Sequence, residues 1–333
     1  MSNPHSEVTT PTARGLSRRR FGGIAAAGLA AGAAVTAFAV GTPAGAHTAA
    51  DYYDQARETA GDDPVLLALS ASLTPGFSPP RPAAPQPVKI FDDLAVLCVG
   101  SVSALAILTD DGIIMIDSLN TAAEARRVIA GGLTALGADP ADIKYVVVTH
   151  GHRDHFGGAQ YLADTYGARV LMAPADWTLV SGMSGAPARD MNITDGQRLT
   201  LGGTEVRLHY TPGHTAGTVS PVFPVTWRGT TETAMTWGGS NPPANLAGLR
   251  TYLASIQSFT AKAQAANVSV EVSAHPFVDY GLERIRQLQN GAASNPFVLG
   301  EAGIEAYLAV MEAMLNGRIA EASGTSTAAA ECC

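Results

Sequence analysis

Between Lys144 and Val148 the chain reads KYVVV, and it runs directly into THGHRDHFGG, Thr149 to Gly158. A short apolar run without polar alternation is a strand buried on both faces. The fold must therefore place a covering layer on each side of that sheet, which points to α/β architecture and against a sheet with one wet face. Open α/β sheets place their sites where the chain leaves the carboxyl edge of a strand. The loop after Val148 lies there, and it holds three histidines and an aspartate within six residues.

The rest of the chain supports layered α/β. Val88–Phe91, Leu94–Val99, Ser103–Leu108 and Ile113–Ile116 read as short strands, with a tight turn at Asp110-Asp111-Gly112. Helices are expected over Thr121–Leu136, Gly157–Tyr166, Ala247–Ala266 and Gly300–Asn316. Further strands are expected at Arg169–Ala173, at Glu232–Trp237, at Val268–Ser273, and in a hairpin over Leu199–Tyr210 that turns at Gly202-Gly203. Meandering strands followed by strand–helix alternation predict two mixed sheets packed together with helices outside. No fixed-period repeat is present. The 333 residues can bury a full core without help from a cofactor.

The flanks read differently. Ser17-Arg18-Arg19-Arg20-Phe21, the Gly/Ala-rich stretch Gly22–Val40 and Ala44-Gly45-Ala46 form the pattern of a twin-arginine export signal with its cleavage site, residues 1–46. That stretch is too poor in large apolar residues for a good bilayer span, so no stable membrane insertion is expected once the signal is cleaved. The expected location is outside the cytoplasm, secreted or periplasmic, with the export machinery as a transient partner. Residues 47–87 read as a helix over Asp51–Leu73, ended by Thr74-Pro75-Gly76, and a Pro-rich connector, Pro79–Pro87, able to shape the substrate groove. Residues 88–320 form the main domain and 321–333 a flexible tail.

Cleavage after residue 46 removes Arg14, Arg18, Arg19 and Arg20 against Glu7 and leaves 17 basic and 28 acidic residues, a net −11. That charge argues against nucleic acid and for a small-molecule partner. Cys98 reads as a buried thiol; Cys332 and Cys333 sit at the extreme C-terminus without disulfide-framework spacing.

In the histidine loop, His150 and His152 alternate to one side, while Asp154 and His155 reach a neighbouring position. Two adjacent ligand sets thus fit one short loop. Imidazole with carboxylate suits zinc, with iron, manganese and copper also compatible. Each ion needs a further ligand from elsewhere. His5 and His47 lie in or beside the signal, and His209 reads as an ordinary strand histidine. His214, in the turn Thr211–Gly217, and His275, in Ser273-Ala274-His275-Pro276, each follow a strand. Asp117, ending Ile113–Ile116, either supports a ligand imidazole or caps the strand. Arg153 reads as a solvent-facing loop residue.

This pattern resembles the metallo-β-lactamase superfamily, whose signature is H-x-H-x-D-H followed by a histidine in a P-G-H-T turn. The resemblance covers Val88 to Leu288 and implies a four-layer αββα sandwich. Where many members carry a metal-bridging aspartate, this chain has Trp237-Gly238-Gly239-Ser240-Asn241, and no cysteine ligand stands there. What remains is similar to the third lactamase subclass, which implies two zinc ions: one on His150, His152 and His214, the other on Asp154, His155 and His275. It further implies hydrolysis by a hydroxide made on the metal and oriented by Asp154, with cyclic amides the leading substrate class. Ester, lactone or phosphoester hydrolysis is the alternative, and a non-catalytic metal-binding protein the third reading. Ser240, with Asn241 beside it, is the candidate substrate contact. The cysteine pair that often closes a disulfide in that subclass is missing from Val268–Val272.

Overall fold

The computed structural model describes residues 47–330. The proposed export signal, His5, Cys332 and Cys333 lie outside the described residues.

One sheet has seven strands in sequence order: β1 (Val88–Phe91), β2 (Leu94–Cys98), β3 (Ser103–Thr109), β4 (Gly112–Ile116), β5 (Ile143–Val147), β6 (Arg169–Met172) and β7 (Met191–Asn192). β1 to β4 form an antiparallel meander, and β4 to β7 pair in parallel. The second sheet has the order β12-β11-β10-β9-β8, with β8 (Gln197–Leu201), β9 (Thr204–Tyr210), β10 (Val219–Trp227) and β11 (Thr230–Met235) antiparallel and β12 (Val268–Glu271) parallel to β11.

Register explains why the first sheet has no polar face. Leu105 pairs with Ile116 and Ile107 with Ile114, and all four face the second sheet, meeting Leu208, Val219, Phe223 and Val270. Their neighbours Ala104, Ala106, Ile113 and Met115 turn outward under Ile129, Leu133, Phe156 and Leu162 of the helices over residues 122–135, 153–156 and 159–166. The far face of the second sheet, through Val222, Met235 and Val268, meets Tyr252, Ile256 and Phe259 of the helix Leu246–Ala265 and Tyr307, Met311 and Met314 of the helix Gly300–Ala330. The result is a four-layer αββα sandwich, as expected.

Three differences from the sequence reading have physical causes. The N-terminal helix is two, Ala49–Ala60 and Pro64–Leu73: Gly61 turns the chain at φ 50°, and the Asp63 carboxylate accepts from the amides of Val65 and Leu66 to start the second. Both helices bury residues, Ala56, Ala60, Leu69 and Leu73 among them, in the same cluster as the C-terminal helix. That last helix continues to Ala330, through the stretch expected to be a flexible tail from residue 321. It is free of proline, and although Gly324 and its Ser and Thr neighbours are poor helix formers, Ile319 and Ala322 still pack on the core and carry the helix past residue 321.

The long strand β10 was unexpected because Pro221 and Pro224 discourage a central-strand reading. The pairing resolves this: Pro221 lies opposite β9, beyond the end of the β11 ladder, and Pro224 opposite β11, beyond the end of the β9 ladder. Each proline therefore has one side that requires no donor.

Candidate metal centre

Three strand ends converge on one edge of the sandwich. The loop after β5 brings His150, His152, Asp154 and His155; the turn after β9 brings His214; the segment after β12 brings His275. Two of the holding contacts are backbone bonds, from Val219 N to Thr149 O at 2.8 Å and from Asp117 N to Val147 O at 2.8 Å. The Gly157-Gly158 pair lets the loop close on the chain after β4, since a Cβ at either position would stand 1.9 Å from Asn120 O or 2.3 Å from Ser118 O.

The six predicted ligands meet as two groups, His150–His152–His214 and Asp154–His155–His275, and within each the potential ligand atoms lie within 4.8 Å of one another. The groups adjoin, with the His150 and His155 rings 3.9 Å apart between centroids. His150 and His155 are buried, each 1% exposed, while His152 faces solvent.

Hydrogen bonds fix which ring nitrogen is free. Nδ1 of His155 meets Asp117 Oδ2 at 2.6 Å, Nδ1 of His275 meets Ser101 O at 2.8 Å, and Nδ1 of His214 meets Asn241 O at 2.6 Å. An acceptor at Nδ1 selects the tautomer that leaves an Nε2 lone pair. His150 Nδ1 lies 3.1 Å from the Thr149 hydroxyl, which donates to Asp117 Oδ2 and so can accept from the ring. Nε2 of His155 is buried without a hydrogen-bond partner, and Nε2 of His150 and of His214 stand 3.0 Å apart. Facing lone pairs and an orphaned ring nitrogen are unfavourable unless a cation engages them. These residues fit two metal ions.

Burial holds His214 down to about 4 and His150 well below the ordinary histidine range, and neighbouring imidazoles add to both shifts. Burial also lowers His152 and His275. For His155 burial pulls the same way, but Asp117 and Asp154 outweigh it and raise this ring to about 10. Burial likewise opposes ionisation of Asp154, yet His155 and His275 hold its carboxyl below the usual range.

Asp117 meets a candidate ligand imidazole and the chain leaving β5. Its carboxylate accepts from His155 and also from Thr149 N at 2.8 Å, and it occupies positive φ at 64°. Arg153 is exposed and reaches Ser184 O. His209 lies half-buried in β9, its ring 6.0 Å from that of Phe259, and Cys98 is a buried free thiol. Asn241 serves His214 through its main-chain carbonyl, with the half-buried Ser240 just before it. No side chain fits at Gly239, where a Cβ would lie 2.5 Å from that of His214. Asp154 is the only carboxylate in the two groups among the described residues.

Two supports were invisible in sequence. Asp176, wholly buried, ties the two histidine loops together: it accepts from Gly151 N at 2.6 Å, the Thr215 hydroxyl at 2.6 Å and Gly217 N at 2.9 Å. Behind His275, the Ser273 hydroxyl accepts from His275 N. Asp279 accepts from Ser273 N and from Arg284, whose guanidinium also donates to Glu271 O. Neither Asp176, inside a short helix, nor Asp279 belongs to a motif, so only the fold reveals them.

Residues 98–226 match the metallo-beta-lactamase superfamily, and the chain carries a domain of that superfamily. The match spans five of the six candidate ligands and ends before His275. Among solved structures, the native FEZ-1 metallo-beta-lactamase from Legionella gormanii aligns with TM-score 0.61 at 22% identity, covering 71% of this chain and 97% of that one. The subclass B3 metallo-beta-lactamase BJP-1 of Bradyrhizobium japonicum aligns with TM-score 0.60 at 22% identity, covering 74% and 98%. At that identity the likeness is one of fold. By sequence, a hydroxyacylglutathione hydrolase of Acidiphilium cryptum is 37% identical over 94 residues, 28% of this chain and 36% of that protein. One from Pseudomonas syringae is 40% identical over 75 residues, 22% of this chain and 26% of that protein. The chain thus spans well under half the length of those relatives.

Proposed function

We propose that this protein is an exported, two-zinc hydrolase of small molecules, with cyclic amides of the β-lactam type as its leading substrate class. The observation that carries this reading is the donor set: two adjoining triads, five imidazoles and one carboxylate, with Nδ1 of three rings anchored and no bridging second carboxylate. Zinc bound there supplies Lewis acidity and an acidified water.

The chain's own residues do the remainder. Asp154 Oδ2 stands 3.4 Å from His155 Nε2 and 3.7 Å from His275 Nε2, so its charge lies in the second triad and is placed to orient a water there. Asp117 keeps the His155 proton on Nδ1. The exposed side of His152 leaves the centre open to a substrate, and Asn241, whose carbonyl meets His214, follows Ser240 beside the first triad in the chain. The net charge disfavours nucleic acid as the partner.

The local sequence likeness to hydroxyacylglutathione hydrolases favours a second reading, hydrolysis of a thioester or related ester by the same apparatus. The fold alone does not choose between them. Zinc titration with nitrocefin, a glutathione thioester and a phosphodiester as parallel probes decides. Zinc-dependent turnover of nitrocefin above the others supports the leading reading, turnover of the thioester alone replaces it with the second, and a zinc-loaded protein inert to all three overturns the enzyme.

A further inference from the structure

We propose that Arg81, on the Pro-rich connector, is a specificity-determining residue: its guanidinium binds a carboxylate on the substrate at the Asp154–His155–His275 side of the centre. This rests on the hydrolase reading above and names the substrate class that the site selects. A cleft of about 680 Å³ opens there, lined by Ser78, Pro79, Pro80 and Arg81 of the connector together with Asp154 and His275. Its size falls within the range of small-molecule sites.

The connector is pinned at both ends of this wall. On one side the Phe77 ring lies 5.8 Å from that of Phe277, which in turn lies 5.3 Å from His275. On the other, Pro82 O stands 2.2 Å from where a Cβ on Gly100 would be, a close approach that only glycine permits. Between these anchors runs Ser78-Pro79-Pro80-Arg81-Pro82, and proline-rich backbone is stiff and extended. Arg81 is therefore carried by a fixed wall, and ordering it around a ligand costs little backbone entropy.

Charge gives the wall its selectivity. Among the described residues Arg81 is the only arginine or lysine lining this cleft, in a chain of net charge −8. It is exposed, and among the described residues it makes no ion pair. The other charged group of the cleft, Asp154, belongs to the second triad. A planar guanidinium matches a carboxylate in bidentate fashion. A substrate presenting its reacting bond to the triad and a carboxylate towards the connector thus meets a partner for each.

The test uses the full mature protein loaded with cobalt, and compares mercaptoacetate with the uncharged mercaptoacetamide. Each thiol is followed by its thiolate-to-cobalt absorption. The wild type should bind mercaptoacetate about tenfold more tightly, the scale of one partly exposed charge-assisted hydrogen bond. Arg81→Ala should abolish that preference while the amide binds as before, Arg81→Lys should retain part of it, and Arg81→Glu should invert it. Preference that survives in Arg81→Ala, or equal weakening of both thiols, overturns the proposal. A protein that takes up cobalt but shows no preference fails this inference alone; one that takes up none fails the hydrolase reading and this inference with it.

Discussion

Replacing Asp176 by asparagine tests how the two histidine loops are held together. Oδ2 accepts from Gly151 N and the Thr215 hydroxyl, and Oδ1 from Gly217 N. An asparagine keeps one acceptor oxygen. Turned to serve the first two donors, it places its amide NH2 against Gly217 N, 2.9 Å from the lost oxygen. One charge-assisted hydrogen bond disappears and two buried donors confront each other, so Asp176→Asn should cost about 2–4 kcal/mol. Gly151 separates His150 from His152, and Thr215 and Gly217 follow His214, so the first triad should suffer more than the second. Urea denaturation of wild type and variant measures the stability term, and zinc titration against a chromophoric chelator measures the affinity of each position. A change below about 0.5 kcal/mol, the level of an ordinary surface substitution, with unaltered zinc affinity would refute the idea that Asp176 joins the loops.

Asp154→Asn should lower turnover about 100-fold or more, roughly 3 kcal/mol of transition-state stabilisation; Arg153→Ala, one residue away, should change it far less. Retained activity in Asp154→Asn would remove the carboxylate from the mechanism. The metal-free protein should be most stable near neutrality, as chemical denaturation from pH 4 to pH 10 would show. His214, lowered to about 4, contributes stability that is full above its unfolded pKa and lost as pH falls through 6.5 to 4. His155, raised to about 10, contributes stability that is full below its unfolded pKa and lost as pH rises from 6.5 towards 10. A stability that climbs steadily across that range contradicts the two assignments. Replacing Arg18 and Arg19 by lysine should block export, read by fractionating cells and sequencing the N-terminus, which should start at or near His47. Undiminished export of the double variant contradicts the twin-arginine signal.

The candidate ligands were legible because they are carried by local signals. H-x-H-x-D-H follows an unmistakable buried strand, and His214 and His275 each stand just after a strand end, so the reasoning that found one found the others. The short apolar runs Ser103–Leu108 and Ile113–Ile116 made the strands of the first sheet legible in the same way, while which residue faces which layer came only from the pairing. What stayed hidden depends on contacts between residues far apart in sequence. Asp176 matters only because Gly151 and Gly217 fold onto it, and Ser101 only because its carbonyl meets His275. β10 was hidden for the opposite reason: two prolines contradicted a strand locally, while staggered pairing made both harmless. The C-terminal helix ran past its expected end because Ile319 and Ala322 pack on a core built from distant residues, and tertiary contact overrides weak local propensity.

Whether the two adjoining triads hold two metal ions is decided by elemental analysis of the purified mature protein and of His275→Ala. The wild type should hold about two zinc ions per chain and the variant about one, since it keeps His150, His152 and His214 intact. A wild type without a transition metal, or a His275→Ala protein that still binds two ions, would contradict it.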